Sequence, residues 1–215
     1  MPRCAILGLG QFGRTLAAAL SQAGFEVLAV DTDREAIAAM RDAVTLAVRM
    51  DSTDADALRA QGIDKVDVAV VCMGTNFEAN TLTTLLLKQM GVPNIIARAT
   101  TPERGRILSL IGASEVVSPE EETARAVARR LVQPNILDYI AVGPSHSVVE
   151  MKAPKSFWGK TLGELDVRKR FRVNIIAVKR GGEALPFPGP EDVIQEGDSL
   201  VAAGASKDLA ALTER

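Results

Sequence analysis

The sequence predicts an α/β chain in which a Rossmann-like, doubly wound, mostly parallel six-stranded sheet is followed by a small α+β C-terminal domain. Three observations carry this expectation. Short apolar runs alternate with helical patterns through the first two thirds of the 215 residues, the rhythm of parallel strands linked by crossover helices. The segment Ile6-Leu7-Gly8-Leu9-Gly10-Gln11-Phe12-Gly13 sets G-x-G-x-x-G directly after an apolar run, and Asp31 follows Gly13 by eighteen residues, the layout of a nucleotide-binding βαβ unit. After Tyr139 the texture changes to turns, alternating runs and clustered prolines.

Taken in order, the apolar runs place strands over residues 4–7, 26–30, 45–48, 66–72, 94–97 and 115–117, with helices over 13–23, 33–40, 53–61, 76–90 and 102–111. Thr32-Asp33-Arg34-Glu35 has the capping-box form and makes Thr32 the start of the second helix, with Asp31 left at the strand end. Ser52 or Thr53 caps the third helix, while Gly91 and Pro102 punctuate the later ones. A helix over 119–132 carries Ala124, Val127, Ala128 and Leu131 at helical spacing, and Gln133-Pro134-Asn135 ends it. Residues 135–139 read as a short linking helix. The expected division is a nucleotide-binding domain over 1–134, a linker helix over 135–143 and a C-terminal domain over 144–215. Within the last, strands are expected over 147–152, 174–179 and 200–203 and a short helix over 161–165. Residues 185–190 contain three prolines and are excluded from a central strand, because proline donates no ladder hydrogen bond.

Composition narrows the function classes. Hydrophobic residues make up 47% of the chain and aromatics only 4%, so the core is built from Ala, Val, Ile and Leu. A net charge of -2 and a pI near 5.6 give no general attraction to nucleic acid or an anionic membrane. No uninterrupted apolar run of about 18 residues occurs, so neither a transmembrane span nor a signal peptide is expected. Cys4 and Cys72 lie inside apolar runs and read as buried thiols, in keeping with a reducing cytoplasm.

In the glycine segment, Gly8 permits the turn out of the strand, Gly10 admits a phosphate to the backbone and Gly13 allows close helix-to-strand contact. The amides opening the helix then meet the phosphate with the positive end of the dipole. Asp31 is placed to accept hydrogen bonds from both ribose hydroxyls and to repel a 2′-phosphate, which disfavours NADP. Asp51 and Ser52 follow the third strand and face the adenine edge; the alternative for Ser52 is a plain helix cap.

Together with Thr81-Leu82-Thr83-Thr84-Leu85-Leu86-Leu87-Lys88, Val117-Ser118-Pro119-Glu120, Thr161-Leu162-Gly163-Glu164-Leu165 and Glu196-Gly197-Asp198, these residues resemble the cytoplasmic regulatory subunits of Ktr/Trk-type potassium uptake systems, the RCK family. The resemblance covers nearly the whole chain. It implies a homodimer assembling into a ring, usually an octamer, docked from the cytoplasm on a separate membrane ion-translocating subunit. It also implies ATP or ADP, and in some members NAD(H), in the N-terminal domain. By matching position the pocket comprises Gly8, Gly10, Gln11, Phe12, Gly13, Asp31, Thr32, Asp33, Asp51, Ser52, Met73, Gly74, Thr75, Arg98, Ala99, Thr100, Arg104 and Glu120. Arg98 suits a phosphate, and Glu120 would serve by holding a cation between its carboxylate and the phosphate; the alternative for both is an ordinary surface charge. Ktr-type members often carry Arg where this chain has Gln11, so preference for ATP over ADP is the least secured feature. Arg168, Asn174, Ile175 and Ile176 match a region where such proteins bind cyclic di-AMP, and strand core explains the two isoleucines equally well.

Two rivals use the same nucleotide fold. An NAD-dependent oxidoreductase needs a proton-transfer group, yet the one histidine, His146, sits in a Gly-Pro-Ser-His turn and the one tyrosine, Tyr139, in the linking segment. No catalytic residue is therefore assigned. A redox-sensing transcription regulator needs a basic stripe, and the densest stretch, Arg168-Lys169-Arg170-Phe171-Arg172, reads as a solvated turn.

Overall fold

The structure, a computed structural model, describes residues 1–213. The chain divides into two compact units, Met1–Thr123 and Ala124–Arg215. The first unit alternates strands and helices: β1 (Arg3–Leu7), α1 (Gln11–Gln22), β2 (Glu26–Asp31), α2 (Arg34–Met40), β3 (Leu46–Arg49), α3 (Ala55–Ala60), β4 (Val68–Val71), α4 (Phe77–Gln89), β5 (Asn94–Arg98), α5 (Pro102–Ile111) and β6 (Glu115–Val117). The six strands form one sheet in the order β3-β2-β1-β4-β5-β6, with every pair parallel. The doubly wound expectation holds. Central strands are buried on both faces, and the alternation of side chains sorts their residues between two cores. Ala5, Leu7, Val30, Ala69 and Val71 meet Leu58 and Leu87 of α3 and α4 on one face. Cys4, Ile6, Val27, Ala29 and Cys72 meet Ala17, Ile37 and Met40 of α1 and α2 on the other.

Three local expectations are corrected. α1 starts at Gln11 and not at residue 13, because Gly10 is already its extended N-cap. α2 is capped by Asp33, whose carboxylate accepts from the Glu35 amide, and not by Thr32. α3 is capped by Asp54, which accepts from the Asp56 and Ala57 amides at 2.9 and 3.1 Å, and not by Ser52 or Thr53. The Ser52 hydroxyl is already committed, lying buried 2.9 Å from Thr83 Oγ1.

α6 (Pro119–Val132) carries the chain across the boundary between the units. The second unit contains β7 (Ile136–Ala141), β8 (His146–Lys152), α7 (Leu162–Leu165), α8 (Val167–Phe171), β9 (Asn174–Arg180), β10 (Glu183–Pro186), β11 (Ser199–Ala205) and α9 (Ser206–Thr213). Its sheet runs β10-β9-β11-β8-β7 and is antiparallel throughout. The linker helix expected over 135–143 is overturned: residues 136–141 form the edge strand β7, paired with β8 as Tyr139↔Val149, Ile140↔Val148 and Ala141↔Ser147. The turn through Gly143 and Pro144 folds the segment back onto β8, whose backbone groups pair with its own. Tyr139 then accepts a hydrogen bond from Ser147 Oγ at 2.7 Å. β10, with Pro186, takes the other edge, as its proline requires. Thr161 closes a capping box with Glu164 at the start of α7. α8 was not expected; it lies between Asp166 and Arg172, both left-handed at φ 42° and 58°, which stop the helical run at each end.

Candidate functional site

The order of the first sheet reverses between β1 and β4, and a crevice at the C-terminal ends of the strands on either side of such a reversal is where open α/β sheets bind ligands. A cleft of about 660 Å³ lies there. Gly8 and Gly10 beyond β1 line it, with Asp31 at the end of β2 and Thr32 after it, Asp51 and Ser52 beyond β3, Met73, Gly74 and Thr75 beyond β4, and Arg98 and Thr100 on β5 and beyond it. Gly8 takes φ +100°, a conformation that favours glycine. At Gly13 a Cβ would fall 2.0 Å from the Gly8 carbonyl oxygen, whereas a Cβ at Gly10 would meet nothing within 4 Å. Gly8 and Gly13 are thus needed to close the turn, and Gly10 opens on space.

The start of α1 differs from the other helices of this unit. α2, α3, α4 and α5 are each capped by a side chain, from Asp33, Asp54, Asn76 and Thr101, and each carries an acid in its first turn. α1 has neither. Its first intrahelical bond runs from Arg14 N to Gly10 O, which leaves the amides of Gln11, Phe12 and Gly13 and the positive end of the dipole for an anion from outside the helix.

Asp31 lies where the sequence placed it. Its carboxylate accepts from the Leu9 amide at 2.6 Å and the Asp33 amide at 2.9 Å, bonds that tie the glycine turn to the end of β2. Each carboxylate oxygen keeps a further lone pair. Asp51, also on the cleft, accepts from the amide and hydroxyl of Thr53, and these bonds hold its carboxyl below the usual carboxylate range. Burial pushes the Cys72 thiol up to about 12, so Cys72 borders the cleft as a neutral group.

Arg98 is the strongest positive feature of the cleft. Its guanidinium donates to the Cys72 carbonyl at 3.3 Å and pairs with Glu120, and this hydrogen bond lowers the Glu120 carboxyl below its ordinary value. Gly74 makes room for it: a Cβ there would stand 2.9 Å from the guanidinium carbon.

Several expected residues do not line the cleft. The Gln11 amide turns along its helix toward Thr15 and Arg14. Phe12 packs against the core beneath, Asp33 is spent on its cap, and Ala99 is buried with Leu108. Arg104 stacks on Phe77 at 4.9 Å and donates to Thr100 Oγ1. Ser52 does line the cleft, with its hydroxyl bonded to Thr83. In the second unit, Arg168, Asn174 and Ile176 are exposed, while Ile175 packs against the core, so strand core accounts for one of the two isoleucines.

Sequence reasoning missed Asn80. It is 1% exposed and its amide donates to the carbonyls of Met73 at 2.7 Å and Arg98 at 3.0 Å, joining the two chain segments that carry the cleft's Gly74 and its cation. The buried residues of α4 are Asn80, Thr83, Thr84 and Leu87, and three polar residues at helical spacing on one face were the available signal. Glu78 and Leu82 of the same helix also border the cleft.

The TrkA-N domain family matches residues 4–119 and the TrkA-C domain family residues 147–215. Ktr system potassium uptake protein C of Bacillus subtilis (strain 168) is 37% identical over 211 residues, covering 98% of this chain and 96% of that protein. The crystal structure of the GsuK RCK domain superposes on 99% of this chain with a TM-score of 0.68 and 25% identity, and this chain spans 47% of that one. The GsuK channel bound to NAD shares the fold, with a TM-score of 0.56 and 24% identity over 100% of this chain and 38% of its own.

Proposed function

This chain belongs to the family built from a TrkA-N and a TrkA-C domain, the RCK proteins, and on that premise we propose that it is the nucleotide-sensing regulatory subunit of a Ktr-type potassium uptake system. The observation that carries the nucleotide reading is the start of α1, uncapped and free of acids, above a glycine turn that Asp31 ties to β2. In this reading the phosphates lie over Gly10 and the α1 amides beside Arg98, and Asp31 takes the ribose hydroxyls. Asp51 borders the adenine. ATP, ADP and NAD(H) all satisfy that chemistry. Any cation at Glu120 would be held jointly with phosphate oxygens, since the described residues contain no group of three or more His, Cys, Asp or Glu placed to hold a metal ion. Cyclic di-AMP at Arg168, Asn174, Ile175 and Ile176 is a separate proposal for the second unit.

The site is read as a sensor and not as a catalytic centre. Among the described residues no helix is long and apolar enough to cross a membrane, so action on ion flow runs through a membrane partner, with this chain on the cytoplasmic side in a homodimer-built, octameric ring. A nucleotide biases such a ring only by binding its two shapes unequally, and a hundredfold shift in population needs about 2.7 kcal/mol of difference. Affinity purification of the tagged full chain from its own cells, in detergent, with ATP, with ADP and with neither, tests the proposal. A potassium-translocating membrane protein is expected in the eluate, retained to different extents in the two nucleotides. An eluate with no such protein would count against it.

A further inference from the structure

The pairing of Arg98 with Glu120 bears on what the cleft selects. Arg98 ends β5 and borders the cleft, with its side chain 17% exposed, while the Glu120 side chain, in the first turn of α6, is 60% exposed. The guanidinium has one seat. Gly74 lies against it on one side, Nη1 donates to the Cys72 carbonyl, and Asn80 holds Arg98's own carbonyl. Its Nε is buried and makes no hydrogen bond among the described residues. Glu120 is less restrained: among the described residues its carboxylate is held by Arg98 Nη2 and by its own backbone amide at the exposed start of α6.

We propose that Glu120 is the resident anion on Arg98, and that a nucleotide phosphate binds by taking Nη2 from it, the carboxylate swinging out to solvent while the guanidinium stays in place. This rests on the nucleotide reading above. Guanidinium recognises carboxylate and phosphate by the same fork of N–H donors, so the two compete for one face. A neutral ligand has nothing to exchange. Glu120 therefore acts as a specificity-determining residue: it lowers the affinity of the cleft for anions in general, and only a ligand also held by the glycine turn and Asp31 displaces it.

The test is calorimetric titration of ADP and of adenosine into the full chain, with EDTA present so that no divalent cation bridges carboxylate and phosphate. Glu120→Gln is expected to bind ADP about five- to tenfold more tightly, the size of a partly exposed charge-assisted pair, with adenosine unchanged. In an Arg98→Gln background the gain should vanish. Should Arg98→Gln fail to fold, Gly74→Ala displaces the guanidinium instead. Equal or weaker ADP binding by Glu120→Gln overturns the exchange while leaving the nucleotide site intact. A gain that survives loss of Arg98 also overturns it, since simple repulsion would then suffice. If neither the wild type nor Glu120→Gln binds ADP, the nucleotide reading and the exchange fall together.

Discussion

Replacing Gly13 by alanine is expected to abolish the folded glycine turn and all nucleotide binding with it. The added methyl would stand 2.0 Å from the Gly8 carbonyl oxygen and 3.3 Å from Cys72 Cβ. Neither neighbour can yield: the Gly8 amide is bonded to the Val30 carbonyl at 2.8 Å, and Cys72 is packed in the core. Relieving the overlap means separating α1 from β1 and β4, at a cost of about 3 kcal/mol or more. Gly10→Ala is the informative contrast. Its methyl meets no atom, so thermal unfolding should match the wild type, yet the methyl occupies the approach to the α1 amides and binding should fall. Melting curves and nucleotide titrations on the two variants separate a fold requirement from a binding one.

The second large effect is expected in the other unit. Asp198 has a fully buried side chain, clasped by Arg180 through two 2.9 Å hydrogen bonds and by the Gln195 amide at 2.8 Å. The pair fastens the segment before β11 to the end of β9. Asp198→Ala leaves that amide unsatisfied and the segment untied; because Arg180 is half exposed and rehydrates, the cost is about 2–3 kcal/mol and not the full loss for a buried pair. The transition of this unit should fall by roughly 10–20 °C, while Glu196→Ala, at an exposed neighbour, leaves it unchanged. The Arg180 guanidinium holds the Asp198 carboxyl below the ordinary aspartate value. Its contribution is therefore complete above pH about 4, where an unfolded aspartate is ionised, and is lost as pH falls through the lower folded value. Asp198→Ala should lack that acid-dependent loss.

The parts of the molecule that were legible in the sequence are those where backbone geometry dictates residue type. Gly8 and Gly13 are required by φ and by close approach, and Asp31 follows from the length of one crossover. Caps were less legible, since Ser, Thr and Asp compete over a few positions and tertiary commitments choose among them: Ser52 bonds Thr83 across the core, which leaves α3 to Asp54. The segment at 136–141 was misread because its apolar residues suit either a helix or an edge strand, and what decides is β8, which lies beyond a turn. Asn80 and the Arg98–Glu120 pair depend on residues 18 and 22 positions apart, separations that no local pattern encodes. Gln11 is the departure from the family's arginine, and its amide turns along its helix toward Thr15, which leaves Arg98 as the cation that lines the cleft among the described residues.

The central claim is that the first unit holds an adenine nucleotide through its ribose and phosphates. Equilibrium titration of ATP, ADP and NADH into the full chain and into Asp31→Ala tests it most directly. At least one of the three is expected to bind the wild type saturably, with the variant weaker by about 10- to 100-fold, the cost of losing charge-assisted bonds to the ribose. Equal affinity in the two proteins, or no binding of any of the three to the wild type, would contradict it.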